Sequence, residues 1–417
     1  MTGKVERTDI SAAAQMVDAA EEDSLAKDTT SKAIENIATQ VFAKQAREDA
    51  EGGDKKSSLP SAELRAGQSL SSKYHLKLHH VLGEGSFGIV YHGVLKKDPN
   101  QEGVGVAVKV NKIKSDSLQK DWVSINSLKN EIDLLKRISE ADADDTFPFT
   151  RYIASKEIEP GKLALIQTLC DCTLKIAIAK GMISAAQLIT DVAKQLLKGL
   201  NFLQANRIVH CDLTPMNILV QKNEAKDCLK MRICDFGAAC MQPYKPLNGG
   251  YYVQRWYRPP DMAFGLAVTT AVDRWSLGCT LFELITSRPL FPAIDSASLF
   301  SMNSELLGAI TEIFFNSLPK GHRYFDTTPN EHGRHETLKI FRGSTGMLHR
   351  KLEWQSQKIS KQYWQSGSDE DDQVKLALFD LVSNLVQWDP NKRLMPADLL
   401  KNPIFAIEYK SRTITAI

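Results

Sequence analysis

The pattern of apolar and polar positions divides the chain into three regions. From Tyr74 to Val110, short runs rich in branched residues are separated by turn signals at Asp98-Pro99-Asn100 and Gly103, which predicts strands. Residues 122 to 139 carry Ile125, Leu128, Ile132 and Leu135 at helical spacing, so one face of a helix is apolar there. A further strand is expected at 162 to 169. From about 184 onward the pattern is mainly helical, with Gln187 to Leu203 a strongly amphipathic segment. A small sheet lobe followed by a larger helical lobe is the layout this order predicts, and no internal repeat interrupts it.

Residues 1 to about 70 differ. They hold one aromatic, Phe42, with nine basic and thirteen acidic residues. Ile34, Ile37, Val41 and Ala43 have roughly helical spacing, yet large apolar residues are too few for a separate core. Gly52 to Pro60 reads as a linker. The segment is expected to be a disordered or loosely helical tail, with partner docking or autoregulation as the sharper alternative.

Composition narrows the setting. The chain has 417 residues, of which 43% are hydrophobic, enough for a full core. A formal net charge of +2 gives no reason to invoke nucleic acid as a partner. The seven cysteines are odd in number and mostly sit in apolar runs, which fits a reducing compartment. Cys170-Asp171-Cys172 and His332-Gly333-Arg334-His335 lack a second ligand pair, so neither reads as a metal site. No apolar run reaches membrane-spanning length and the N-terminus has no secretory pattern. The expectation is a soluble protein of cytosol or nucleus with no membrane partner.

The chemistry lies between residues 83 and 275. Gly83-Glu84-Gly85-Ser86-Phe87-Gly88 is followed by Ile89-Val90-Tyr91, which is strand-like. A dinucleotide site needs a helix at that point, whereas a hairpin folded over phosphates needs a strand. Val106-Ala107-Val108-Lys109 comes next, and a lysine facing inward from a buried strand is costly unless paired. Glu131 follows on the predicted helix. Then come His210-Cys211-Asp212-Leu213-Thr214-Pro215-Met216-Asn217, Asp235-Phe236-Gly237 and Asp273-Arg274-Trp275. One glycine motif is weak evidence; six elements in this order are strong.

Over roughly residues 74 to 409 the chain resembles a eukaryotic-type protein kinase. The resemblance implies an α+β, two-lobed fold, with an antiparallel-sheet N-lobe at about 74–169 and a helical C-lobe at about 173–409. It implies ATP and Mg²⁺ as cofactors and a protein as substrate. Leu82, Gly83, Glu84, Gly85, Ser86, Phe87 and Gly88 would cover the nucleotide, and Val90, Ala107 and Leu219 would sandwich its base. Lys109 would hold the α and β phosphates, fixed by Glu131, which is preferred to Asp133 because Leu135 lies one turn on. Asp212 would align the acceptor hydroxyl and take its proton, and Asn217 and Asp235 would bind Mg²⁺. Gln167 to Cys172 would be the hinge, with Gln167 at its gate. His210 and Phe236 would be packing residues, Asp273 would anchor the catalytic loop, and Arg393 would pair with Asp261.

Tyr251 to Asp261 resembles the activation-segment end of the group that holds cyclin-dependent, mitogen-activated and dual-specificity tyrosine-regulated kinases. The segment at 298–308 resembles that group's helix leading into an insert, here about 295–380. Three positions depart from the pattern. Cys211 replaces an arginine that gathers an activation-loop phosphate, Thr214 replaces a lysine that contacts the γ-phosphate, and Gln254 stands nearest a usual threonine. The loss of the lysine is expected to lower kcat. Tyr252 is either an autophosphorylation site or a packing tyrosine. The expected function is transfer of the ATP γ-phosphate to protein Ser or Thr. The rival is a pseudokinase scaffold, and a small-molecule kinase is a weaker third.

Overall fold

The computed structural model describes residues 69–71, 74–85, 88–97, 100, 102–113, 118–223, 228–244, 253–308, 314, 317–318, 325–326, 339–340 and 369–406. Ser86, Phe87, Tyr252, Tyr324 and the tail before residue 69 lie outside the described residues.

The N-lobe sheet is built from β1 (Ser69–Ser71), β2 (Tyr74–Glu84), β3 (Gly88–Lys96), β4 (Val104–Asn111), β5 (Tyr152–Glu159) and β6 (Lys162–Thr168). Its order is β1-β2-β3-β4-β6-β5, and every neighbouring pair is antiparallel. Side chains alternate across a strand, and β4 shows what that achieves. Val106, Val108 and Val110 are buried on one face with Ala164 and Ile166, against Leu76, Leu78, Tyr91 and Leu95. Lys109 and Ala107 take the opposite face. Directly across from them on β3 stand Val90 and His92, and across on β6 stand Leu165 and Gln167. Cross-strand partners share a face, so one surface of the sheet collects Val90, Ala107, Lys109 and Gln167.

The predicted helix is α1 (Leu118–Ala141), longer than the 122–139 expected. Leu128 and Leu135 are buried, and Ile125 and Ile132 pack partly buried against the same core. That core runs without a break from α1 into the C-lobe.

In the C-lobe, α2 (Leu174–Ala179) is capped by Thr173, whose hydroxyl accepts the Ile176 N–H. The amphipathic segment forms α3 (Ala186–Ala205), burying Ile189, Val192, Leu196, Leu197, Leu200 and Leu203. After α4 (Pro260–Ala263) comes α5 (Ala271–Thr286), buried on nearly every side, as a helix at the centre of a lobe must be. Around these lie α6 (Ser296–Leu307), α7 (Asp369–Leu385) and α8 (Pro396–Leu399). A capping box between Asp295 and Ser298 starts α6. Phe264 and Phe300 stack at 5.2 Å and, with Trp388, form a second apolar cluster beside it. At the expected insert, α6 begins at Ser296, two residues before the matching segment, and β12 (Phe325–Asp326) pairs with β13 (Lys339–Ile340).

The C-lobe is mainly helical as expected, with short strands that the pattern did not predict. The stretch after 184 is not uniformly helical. Strands β8 (Ile208–Val209), β9 (Ile218–Asn223), β10 (Cys228–Ile233) and β11 (Cys240–Met241) interrupt it. Together with β7 (Cys172–Thr173), they make a three-stranded sheet, β10-β9-β7, and a two-stranded one, β11-β8. Runs of two to six residues are too short to show a period. Among the described residues no helix is long and apolar enough to cross a membrane, and all seven cysteines are free thiols.

Candidate active site

Lys109 is the centre of the first cluster. Its Nζ lies 2.6 Å from Glu131 Oε2 and 2.9 Å from Asp235 Oδ1. Glu131 reaches it from α1 and Asp235 from the turn after β10, so three separate elements meet on one ammonium. Burial pulls the Lys109 pKa down, but the two carboxylates outweigh it and hold it well above the ordinary lysine range. Burial pushes Glu131 up to about 7, against the pull of Lys109. For Asp235 the balance goes the other way: burial raises it, Lys109 lowers it more, and its pKa falls below the usual carboxylate value.

The glycine loop stands above this cluster. Gly85 N–H donates to Gly88 O at 2.9 Å, closing the hairpin between β2 and β3. A Cβ on Gly88 would sit 2.8 Å from Val110 O, so the close approach of β3 to β4 beside Lys109 requires glycine. Glu84 pairs with Lys112 at 2.6 Å. Leu82 and Val81 are exposed, Val90 and Leu219 are half-buried, and Ala107 is buried. Leu219 lies on β9, opposite Thr173 of β7 and Arg232 of β10. Gln167 is buried on the same face as Ala107, and its Oε1 has no hydrogen-bond partner.

Asp212 is the centre of the second cluster. Asn217 Nδ2 donates to Asp212 Oδ2 at 2.7 Å and to its backbone oxygen at 2.9 Å. The Gln254 N–H approaches Oδ1 at 3.4 Å. Burial, then the charge of Asp235, pushes the Asp212 carboxyl up to about 6, with the two amides pulling back. The Cys234 N–H donates to Asn217 O at 3.0 Å, so the residue before Asp235 is tied to the residue that holds Asp212, and the two clusters adjoin in one cleft.

The loop carrying Asp212 is fixed from below. Asp273, at the start of α5, accepts the N–H of His210 at 2.7 Å and of Cys211 at 3.0 Å. These bonds hold Cys211 at φ 66, a left-handed conformation unusual for a non-glycine residue. Burial pushes Asp273 up to about 7 and His210 down to about 4. Neutral His210 therefore accepts the Asp212 N–H at Nδ1 and donates from Nε2 to Cys234 O at 2.9 Å. Its ring packs 4.8 Å from that of Phe236, which in turn lies 6.1 Å from Phe149.

The departures from the expected pattern are visible too. Cys211 is buried with its sulfur 3.7 Å from that of Cys240. The contact with Cys240 and burial raise its pKa well above the ordinary thiol value, so it is an inert packing residue. Thr214 is buried. Arg232 cannot stand in for a missing cation there, because its guanidinium is committed. It forks onto Asp145, its Nε reaches Gln221 Oε1 at 3.0 Å, and its Nη1 reaches Phe149 O at 2.9 Å.

Several organising residues were not visible in the sequence. Asp145, held at φ 55, takes both Arg232 and Lys230, and so ties the loop after α1 to β10. Buried Glu283 of α5 accepts Lys175 of α2 and, at 2.5 Å, the hydroxyl of Tyr257. Asn130, beside Glu131, donates to two carbonyls around Phe236. Each link joins positions tens of residues apart, and no local spacing signals it. By contrast, the pair of Arg393 with Asp261 was expected from the sequence; it is present and buried, and Arg393 also donates to Ala271 O at 2.9 Å.

The cleft offers a hard cation Asp235 and the side-chain oxygen of Asn217, whose amide nitrogen is already engaged with Asp212. Oxygen donors with room for phosphate oxygens suit Mg²⁺. Among the described residues, no three His, Cys, Asp or Glu side chains converge as a metal cage.

Residues 76–405 match the protein kinase domain family. Dual specificity tyrosine-phosphorylation-regulated kinase 3 of Rattus norvegicus is 32% identical over 231 residues, 52% of this chain and 36% of that protein. Probable cyclin-dependent kinase 8 of Dictyostelium discoideum is 29% identical over 359 residues, 81% of this chain and 83% of that protein. Mitogen-activated protein kinase 3 of Arabidopsis thaliana is 26% identical over 376 residues, 85% and 87% of the two chains. The chain thus spans just over a third of the rat relative's length and most of the other two. The chain belongs to the protein kinase family, within the CMGC group that holds the cyclin-dependent, mitogen-activated and dual-specificity tyrosine-regulated kinases.

Proposed function

We propose that this chain transfers the γ-phosphate of Mg-ATP to Ser or Thr hydroxyls of a protein. The observation that carries the reading is the joint geometry of five side chains. Lys109 lies within 2.9 Å of both Glu131 and Asp235, while Asn217 holds Asp212 at 2.7 Å in the same cleft. Bound Mg²⁺ would supply charge neutralisation at the phosphate oxygens, through Asp235 and Asn217. Lys109 neutralises charge on the phosphates, and Glu131 keeps its ammonium from wandering. Leu82, Gly83, Glu84, Gly85 and Gly88 of the glycine hairpin would exclude water from above. Val90, Ala107 and Leu219 give the base an apolar slot.

Asp212 accepts a hydrogen bond from the acceptor hydroxyl and fixes its oxygen in line with the phosphorus. As the new O–P bond forms and the bond to ADP breaks, the hydroxyl proton passes to Asp212. Residues 74–409 are proposed as the kinase unit. The tail at 1–70 is proposed as a docking or autoregulatory segment, and Tyr252 as an autophosphorylation site. Cytosol or nucleus is proposed as the setting, which the seven free cysteines support; no nucleic-acid or membrane partner is proposed.

The test is transfer of labelled γ-phosphate from Mg-ATP to a mixed protein substrate, with Asp212→Asn beside wild type. Transfer by wild type and its loss in the variant is the expected result. Phosphoamino-acid analysis then separates Ser and Thr from Tyr. The second reading, a nucleotide-binding scaffold, draws on the neutral Thr214 two residues after Asp212. A folded wild type that binds Mg-ATP and transfers nothing would establish it instead.

A further inference from the structure

We infer that Asn130 is a positioning residue for the metal-binding side of the cleft: it clasps the Asp235-Phe236-Gly237 turn to α1, so that Glu131 and Asp235 move as one unit. The inference rests on the kinase reading of the site. A single side-chain amide nitrogen, Asn130 Nδ2, donates to Phe236 O at 3.1 Å and to Ala239 O at 2.8 Å. These carbonyls flank the short 3-10 turn Phe236–Ala238, whose N-cap is Asp235. Both amide hydrogens are thus spent on one turn, and both ends of that turn are held.

The surroundings make the clasp tight. Ser127 lies one helical turn before Asn130 and Glu131, and residues three and four apart share a helix face. A Cβ on Gly237 would sit 2.3 Å from Ser127 Oγ, so the turn is pressed against this face of α1. The adjacent residue, Glu131, reaches Lys109 at 2.6 Å, and Lys109 reaches back to Asp235 Oδ1 at 2.9 Å. Asn130, Glu131, Lys109 and Asp235 therefore close a loop of contacts from α1 through β4 to the turn. Asp235 itself sits at φ 64, a conformation that needs outside support in a residue other than glycine. The clasp on the carbonyls that follow supplies part of it. A displacement of α1 would release Lys109 and turn the metal-binding carboxylate in one motion.

The clasp makes a specific demand on binding. Its loss should weaken nucleotide taken up with Mg²⁺ more than nucleotide taken up alone, because only the former uses Asp235. The test is the affinity of the full chain for ADP, with and without Mg²⁺, for wild type, Asn130→Asp and Asn130→Ala. The aspartate keeps the shape and removes the donor. The expected result is a Kd for Mg-ADP raised about 10-fold, the scale of losing one or two hydrogen bonds, with metal-free ADP changed less than about 2-fold. Hydrogen exchange of the backbone amides at 236–241, measured without nucleotide, should quicken in both variants.

Equal weakening with and without Mg²⁺, or unchanged binding and unchanged exchange, would overturn the inference. Should Asn130→Asp fail to fold, Asn130→Ala is read in its place, since truncation leaves the helix intact. Phosphate transfer by wild type is measured in parallel. Absence of transfer with the Mg²⁺-specific effect present counts against the kinase reading alone, and transfer without that effect counts against the clasp alone.

Discussion

Two carboxylates in the same cleft are driven in opposite directions. Asp235, on the proposed nucleotide side, has the Lys109 ammonium at 2.9 Å and a pKa below the ordinary value. Asp212, on the proposed acceptor side, is held by two amides, Asn217 and the Gln254 N–H, and burial raises it to about 6. The residue two positions on is the neutral Thr214. The proposed nucleotide side thus has a counter-charge in direct contact, whereas on the proposed acceptor side two hydrogen bonds outweigh the more distant pull of Lys109. Groups that bind a ligand tightly profit from permanent counter-charges. A group that must take a proton works best with a pKa near the working pH, and paired carboxylates pushed apart in this way mark an acid–base division of labour.

The strongest way to break this comparison is to neutralise the acceptor side alone. Asp212→Asn should lower transfer by about 10³-fold or more while leaving Mg-ADP affinity within about 3-fold. Affinity lost in step with transfer would mean the two sides are one unit. Next comes Lys109→Met, which removes the counter-charge from the nucleotide side. It should cost about 10² in kcat/KM for ATP, and it should also leave Glu131 buried without its partner, lowering the melting temperature. A variant with unchanged ATP kinetics would contradict the role given to Lys109.

Thr214→Lys sharpens the contrast by adding the missing cation. A rise in kcat of about 10-fold is expected if the acceptor side is limited by unneutralised charge, and steady-state kinetics against ATP would show it. The smallest effect concerns pH. Asp212 must be ionised to accept a proton, and its raised pKa means it is protonated below about 6. The value of kcat/KM should therefore fall as pH drops through about 6 and level off above it. In Thr214→Lys the same limb should move to lower pH, since a nearby cation favours the carboxylate. A limb that stays in place would separate the rate effect from the charge of the added lysine.

Much of the scaffold was legible because it follows local periodicity. The strands of 74–110, the helix at α1 and the helix at α3 have apolar faces that repeat along the chain, and their observed bounds lie within a few residues of those expected. The strands from β7 to β11 were not legible. Each is two to six residues long, and they are stabilised by pairing with partners elsewhere in the sequence. The central helix α5 has no polar face to give it a moment; it was recognised only by Asp273-Arg274-Trp275. Ordered motifs pointed to Lys109, Glu131, Asp212, Asn217 and Asp235. Nothing local pointed to Asn130, to the Asp145 bond with Arg232, or to Glu283 with Lys175 and Tyr257.

The sequence by itself determined which side chains are candidates for the chemistry and on what kind of element each sits, because residue type, spacing and apolar period are properties of neighbouring positions. Only the tertiary structure decided how those side chains are charged and held. Lys109 and Asp235 are 126 residues apart in the chain and 2.9 Å apart in space. Burial and Coulomb interaction depend on that second distance. The same residue type therefore lies below its ordinary pKa at Asp235 and above it at Asp212 and Asp273.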